Sequence, residues 1–235
     1  MNDDRTPSRP DASRADAADL RRRAQRHAAL ADPTRLAIVD TLAMTDAAPS
    51  ELQARLEIPS NLLAHHLGVL ESAGLIARRR SESDRRRSYL RLVRDGLPPD
   101  PAAAGLAAHR VVFVCTGNSA RSPLAAELWR RRSTIPVTSA GTRPAVDVAP
   151  AARAAAARHD LPPLPVAPQP VTGTVRPGDL IVTVCDAAHE HLHDPAALHW
   201  SVADPVVTGS DAAFDAAVAD LARRIDDLAS RVAAV

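Results

Sequence analysis

The segment VVFVCTGNSARSP, residues 111–123, constrains the fold of this 235-residue chain more than any other stretch. Its apolar, β-branched start reads as a buried strand that ends at Cys115. Five residues, Thr116, Gly117, Asn118, Ser119 and Ala120, loop round to Arg121, and Ser122-Pro123 opens a helix. A buried strand feeding directly into a helix is half of a βαβ unit, and such units build parallel sheets. The chain beyond keeps the alternation. A helix over residues 122–132 and a short strand near Val137-Thr138 precede a helix over 149–159. The run DLIVTVC, residues 179–185, is another buried strand, a short strand lies near 198–200, and a final helix spans 211–234. The expectation for residues 110–235 is an α/β domain with a four-stranded parallel sheet and helices on both faces. The stretch PPLPVAPQP, residues 162–170, is too rich in proline for regular structure and reads as a loop.

The loop after Cys115 suits a tetrahedral anion. Successive backbone N–H groups turned inward beside a helix N-terminus make a cup of positive potential. Arg121 can add a two-pronged guanidinium clamp. The same field favours the thiolate of Cys115 and so makes it a nucleophile. Gly117 allows a tight backbone, Asn118 tolerates left-handed dihedrals, and the Ser122 hydroxyl can hydrogen-bond the sulfur. Residues 116–122 are thus the candidate oxyanion ligands. Asp204 stands in HWSVADP (199–205), and Cys185, the second cysteine, ends its strand. An Asp-Pro pair is often only a turn, and Cys185 also fits a buried structural residue. His189, His191 and His193 alternate in a spacing that suits neither one helix face nor a zinc pattern, so no metal is expected.

The first half of the chain has a different texture. Residues 1–11 form a polar tail expected to be disordered. Residues 12–30 favour a helix, Asp32-Pro33 caps the next, and Leu36, Ile38, Val39 and Leu42 are its expected core face. Ser50 caps a short helix to Leu56, residues 58–60 make a turn, and a helix from Asn61 to Ala73 ends at Gly74. Its packing side is read as Leu62, Leu63, Leu67 and Leu70. Two strands, 75–80 and 88–93, flank the polar turn SESD (81–84). Helix, tight turn, helix and an arginine-rich hairpin define a winged helix-turn-helix over residues 12–94. Its second helix would enter the major groove through Ser60, Asn61, Ala64 and His65. The wing arginines, Arg78, Arg85, Arg86 and Arg87 above all, would grip phosphates. A helix-turn-helix can also serve protein contacts, and an arginine run can be a solvated face. Residues 95–109, with three prolines and two glycines, read as the linker.

Charge agrees with this division. All 29 basic residues are Arg; residues 20–94 hold 14 of them against 8 acids, whereas residues 101–235 hold 12 against 13. Only the first half is built to meet a polyanion. Aromatic residues make up 2% of the chain, so its core must come from Ala, Leu and Val. Two cysteines are too few for a disulfide scaffold, no signal peptide opens the chain, and no apolar run reaches the roughly 18 residues that span a bilayer. A cytoplasmic protein with no membrane partner is expected.

Two resemblances refine these expectations. ALADPTRLAIVDTL and SELQARLEIPSNLLAHHLGVLESAGLIARRR resemble ArsR-type winged-helix repressors over about residues 20–94. That implies a double-stranded DNA operator and a homodimer. The chain departs from the arsenite-sensing members: the stretch TDAAPSEL (45–52) lacks their cysteine pair, and the linker stands where many members have a dimerising helix. Dimerisation would then fall to residues 12–30 or to the second domain. VCTGNSARSP, TSAGTRP, DLIVTVCDAA and HWSVADP resemble the low-molecular-weight tyrosine phosphatases and thioredoxin-coupled arsenate reductases over about residues 110–232. That likeness implies Cys115 as nucleophile, Arg121 as clamp, Asp204 as general acid and, in the reductase branch, Cys185 as resolving thiol. Val206-Val207 stand where the phosphatases carry aromatics, and no third cysteine follows near Leu192. The expectation is a regulator fused to an arsenate reductase that binds no cofactor and draws on an external thiol: thioredoxin, glutaredoxin or a low-molecular-weight thiol. The alternatives are a phosphatase acting on a phosphoester and a non-catalytic oxyanion sensor controlling DNA binding.

Overall fold

The computed structural model describes residues 11–93, 105–165, 167–194 and 197–235. The expected tail, apart from Asp11, and linker residues 95–104 lie outside the described residues. Helices α1 (Asp11–Leu30), α2 (Pro33–Met44), α3 (Pro49–Leu56) and α4 (Ser60–Ser72) precede the antiparallel hairpin β1 (Ile76–Arg80) and β2 (Ser88–Leu92). Asp32 caps α2 by accepting from Arg35 N at 2.9 Å, and Pro33 takes the first turn, where its missing N–H costs nothing. Gly74, at φ 64°, ends α4 in the left-handed region.

Three sequence expectations change in this half. Helix α3 starts at Pro49 because Glu51 reaches back to accept from Ala48 N at 2.8 Å; Ser50 is not its cap. Leu36 is 46% exposed, since a residue two positions before Ile38 is turned about 200° round the helix from it. Leu62 is 41% exposed for the same kind of reason: Leu63, His66, Leu67 and Leu70 form the buried stripe of α4. Ile38, Leu52, Leu70, Leu75 and Leu90 centre the core that these elements share.

The second half holds β3 (Leu106–Ala108), β4 (Arg110–Cys115), α5 (Arg121–Arg132), β5 (Val137–Gly141), α6 (Pro150–Arg158) and β6 (Asp179–Thr183). Then come α7 (Asp186–Leu192), β7 (Leu198–His199), α8 (Pro205–Thr208), α9 (Asp211–Ala229) and β8 (Val232–Ala234). Strands β5, β4, β6 and β7 pair in that order, all parallel, giving the four-stranded sheet expected. The first crossover leaves β4 for one neighbour and the next returns to the other, so the carboxyl end of β4 is the switch point where α/β sheets bind ligands. Cys115 sits there, paired in register with Gly141.

The ends of this half differ from expectation. Residues 106–108, read as linker, pair in parallel with Val232–Ala234, and the last helix stops at Ala229 so that β8 can form. No periodicity marks three-residue strands in Ala-rich sequence. All of the chain's Phe, Trp and Tyr side chains, Phe113, Phe214, Trp129, Trp200 and Tyr89, rank among the largest that are fully buried. The scarce bulky rings therefore fill the spaces that Ala and Val cannot.

The two halves meet along a polar seam. Asp46 is buried; it receives both guanidinium nitrogens of Arg224, at 3.0 and 2.9 Å, and the N–H of Ser201 at 2.8 Å. Backbone N–H groups of Asp46 and His199 donate to His199 O (2.7 Å) and Thr45 Oγ1 (2.7 Å). Trp200 Nε1 donates to Met44 O at 3.1 Å. No described helix is long and apolar enough to cross a membrane.

Candidate functional site

The loop from Cys115 to Ser122 is held from outside. The carbonyls of Cys115, Thr116, Gly117 and Ser119 accept from the N–H groups of Thr142, Arg143, Ala145 and Ala149, at 2.9–3.1 Å. With its carbonyl edge so engaged, the loop keeps its N–H edge for the inner side, and Asn118 N donates to Cys115 Sγ at 3.2 Å. Asn118 adopts φ 48°, the left-handed value expected, and its side-chain amide donates to Ser122 Oγ (3.0 Å) and Ser139 Oγ (2.9 Å). Ser122 Oγ lies 3.0 Å from Cys115 Sγ. At Gly117 a Cβ would stand 3.0 Å from Ser119 Oγ, a side-chain end that can turn away. Gly141 is needed for space, because its Cβ would come within 2.7 Å of Thr116 O, a backbone atom. The phrase TSAGTRP carries that signal in the sequence.

Arg121 opens α5 and is 8% exposed. Its Nη1 donates to Val202 O at 3.0 Å and its Nη2 to Asp204 Oδ2 at 2.7 Å. Asp204 in turn caps α8 by accepting from Val206 N at 3.0 Å. Cys185 is the N-cap of α7, two residues beyond β6, and its Sγ lies 3.4 Å from Thr116 Oγ1. Burial pushes the Cys185 thiol above its ordinary range; Arg121 opposes the shift, and the charge of Cys115 adds to it. Cys115, Arg121, Asp204 and Cys185 therefore border one cleft of about 780 Å³.

The cleft has a wall that the sequence did not reveal. Ser81, Glu82, Ser83 and Arg85 of the β1–β2 turn line it from the other half of the chain. Glu82 Oε2 lies 3.6 Å from Arg121 Nη1, and the Glu82 carboxylate accepts from Asp204 N at 3.1 Å. Asp186 Oδ2 accepts from Glu82 N at 2.8 Å, and Ser81 Oγ donates to Glu190 Oε1 at 2.7 Å. Burial alone would raise the Asp186 carboxyl, but His199 and the Glu82 N–H outweigh it and hold the group below the usual carboxylate range. Glu82, Asp186, Glu190 and Ser139 are the site's neighbours that sequence reasoning missed.

The nucleic-acid candidates are divided between solvent and seam. Ser60, Asn61, Ala64 and His65 all face solvent on α4. Arg85 and Arg86 are exposed, Arg86 with its own turn partner Asp84. Arg78 pairs with Glu71 at 3.1 Å. Arg87 instead turns inward to Glu51, at 2.8 Å, and Arg79 donates to Ser201 O at 3.1 Å. His189 stacks on His199 at 4.2 Å and meets Glu51 at 3.1 Å, so it belongs to the seam. Among the described residues no group of three or more His, Cys, Asp or Glu is placed to hold a metal ion.

A thiol and an arginine clamped round an anion loop, on an α/β sheet that follows a helix-turn-helix, define the class: a DNA-binding module fused to an oxyanion-handling one. The profile of the low molecular weight phosphotyrosine protein phosphatase family matches residues 110–235, and through these the chain belongs to that family. A helix-turn-helix domain profile matches residues 30–79. No curated protein matches the chain. Among solved structures, the arsenate reductase of Archaeoglobus fulgidus is 26% identical, covering 51% of this chain and 98% of its own, with a TM-score of 0.43. The tyrosine phosphatase Wzb of Escherichia coli K30, in complex with sulphate, is 22% identical over 52% of this chain and 97% of its own, with a TM-score of 0.47. A YwlE mutant from Bacillus subtilis is 20% identical over 52% and 96%, with a TM-score of 0.45.

Proposed function

We propose that the chain is an ArsR-type, DNA-binding regulator whose second half reduces arsenate to arsenite. One observation carries the choice of arsenate: Cys185 Sγ stands 3.4 Å from Thr116 Oγ1, beside the residue next to Cys115 and in the same cleft. Phosphoryl transfer needs one thiol, whereas reduction needs two. In the proposed reaction residues 116–122 and Arg121 hold the arsenate oxygens. The Cys115 thiolate attacks arsenic, an S–As bond forms, and an arsenate oxygen leaves as water with protons from Asp204 and solvent. The Cys185 thiol gives its proton to solvent, and its sulfur then attacks Cys115 Sγ. The S–As bond breaks, its electron pair passes to arsenic, and arsenite leaves. The resulting Cys115–Cys185 disulfide returns to two thiols by exchange with an external dithiol protein or low-molecular-weight thiol, which leaves oxidised. No bound cofactor enters these steps. The regulatory half would act as a homodimer on a palindromic operator in the cytoplasm.

A phosphatase reading is favoured by a different observation, the Asp204 carboxyl at the rim of the cleft that Cys115 and Arg121 border, from which, once protonated, it could serve a leaving oxygen. The deciding experiment runs arsenate reduction with several thiol donors beside aryl-phosphate hydrolysis on one preparation. Arsenite release that depends on a donor supports reduction. Ester hydrolysis with no arsenite from any donor would leave the phosphatase.

A further inference from the structure

We propose that Glu82 is an internal carboxylate ligand of the oxyanion site, so that an oxyanion entering the loop displaces the tip of the wing. The inference rests on the oxyanion-loop reading above and deepens it by naming what regulates the site.

Arg121 is the only arginine of the loop, and two carboxylates already share it. Asp204 holds Nη2 at 2.7 Å, and Glu82 faces Nη1 at 3.6 Å. The Glu82 carboxylate also takes the Asp204 N–H at 3.1 Å and pairs with Arg79. A doubly charged tetrahedral anion clamped by Arg121 would meet the Glu82 carboxylate on the same guanidinium, in a cleft partly shut off from water, even with Asp204 protonated for its role as acid. Like charges that close repel strongly, so Glu82 must give way. Asp204 is tied to its own half of the chain as the cap of α8. Glu82 is on a hairpin turn, its side chain 38% exposed, and the turn is otherwise fastened to the second half by the Glu82 N–H bond to Asp186 and the Ser81 hydroxyl bond to Glu190. Glu82 is therefore the group that moves, and the turn bearing Arg85 and Arg86 loosens as it loses the Glu82 carboxylate's bonds to Arg121 and Asp204.

Two consequences follow from one equilibrium. Glu82 weakens oxyanion binding by competing for Arg121, and oxyanion binding loosens the wing. Because linkage is reciprocal, whatever lifts the wing tip tightens the oxyanion site by the same factor.

The test uses full-length protein and inorganic phosphate as probe. Calorimetric titration is expected to show Glu82→Gln binding phosphate at least about fivefold more tightly than wild type, the lower end of common coupling strengths. Asp84→Asn removes the same charge from the same turn without touching Arg121, and should bind phosphate within about twofold of wild type. Amide hydrogen exchange supplies a second readout: saturating phosphate should speed exchange at residues 81–84 of wild type. Equal phosphate affinity in wild type and Glu82→Gln, or equal gains in Glu82→Gln and Asp84→Asn, would overturn the inference and leave the loop reading intact. Absence of phosphate binding by either protein would overturn both.

Discussion

Cys115 is held at 3.0 Å from a hydroxyl, that of Ser122, and at 3.2 Å from a backbone N–H, that of Asn118, groups that can both donate to a thiolate. Sulfur and anion cup are separable functions, because the N–H edge of the loop and Arg121 do not depend on the thiol. Cys115→Ser should abolish turnover yet keep phosphate binding within about tenfold, whereas Arg121→Ala should lose both; calorimetry beside activity assays distinguishes them. Turnover retained in Cys115→Ser would remove the nucleophile. These residue roles were legible because the contacts are local: Cys115, Asn118 and Ser122 lie within eight positions, and their order states the chemistry. Glu82 was not legible. Its partners, Arg121 and Asp204, are far along the chain, and SESD reads like any polar turn.

At the scale of the element, β5 matters as much as the loop it supports. Gly141 lets Thr116 O approach so closely that a Cβ would sit 2.7 Å from it. Gly141→Ala should shift the loop by a fraction of an ångström and lower kcat/KM by about 100-fold with little loss of cooperative unfolding. Near-normal activity in a folded variant would show that the loop tolerates the shift. On α4, Asn61 faces solvent beside His65, so Asn61→Ala should change preference among DNA sequences. The wing should act differently. Arg85→Ala should weaken binding to all duplexes and reduce the salt slope by about 1, whereas Arg87→Ala should change the slope less, because Arg87 is already paired with Glu51. Binding titrations at several salt concentrations separate these outcomes. Helices α2 to α5 were legible as elements from Asp32-Pro33, Gly74 and apolar spacing, but the cap of α3 and the outward faces of Leu36 and Leu62 were not. The β3–β8 pair was not, since a strand of three small residues exists only through its distant partner.

For the whole molecule, the seam decides whether two modules behave as one. The stretch 45–52 begins with Thr45 and Asp46, which bind His199, Ser201 and Arg224 of the second half. Breaking the buried Asp46–Arg224 pair with Arg224→Ala should cost about 3 kcal/mol, because a desolvated carboxylate is left unpaired. Urea unfolding measures the loss, and a change below about 0.5 kcal/mol would mean that the seam contributes little. Acid should loosen the seam as well. Burial holds the His199 imidazole below its ordinary range, against the pull of Asp186, so the unfolded chain takes up that proton first. Stability should therefore fall as pH drops below about 6.5, and fall again in the carboxylate range as Asp186 and Glu51, both held low in the folded state, are protonated. His199→Asn should flatten the upper part of that profile; an unchanged slope between pH 7 and pH 5 would assign it to other groups.

In the proposed reaction two cysteines on neighbouring strand ends act on one bound arsenate. Intact protein treated with arsenate in the absence of any external thiol, quenched by alkylation and mapped by mass spectrometry, tests it most directly. The expected result is a peptide pair linked through Cys115 and Cys185, with arsenite released in equal amount, and no linkage in Cys185→Ser. Both cysteines recovered as alkylated thiols after wild-type protein has met arsenate would contradict it.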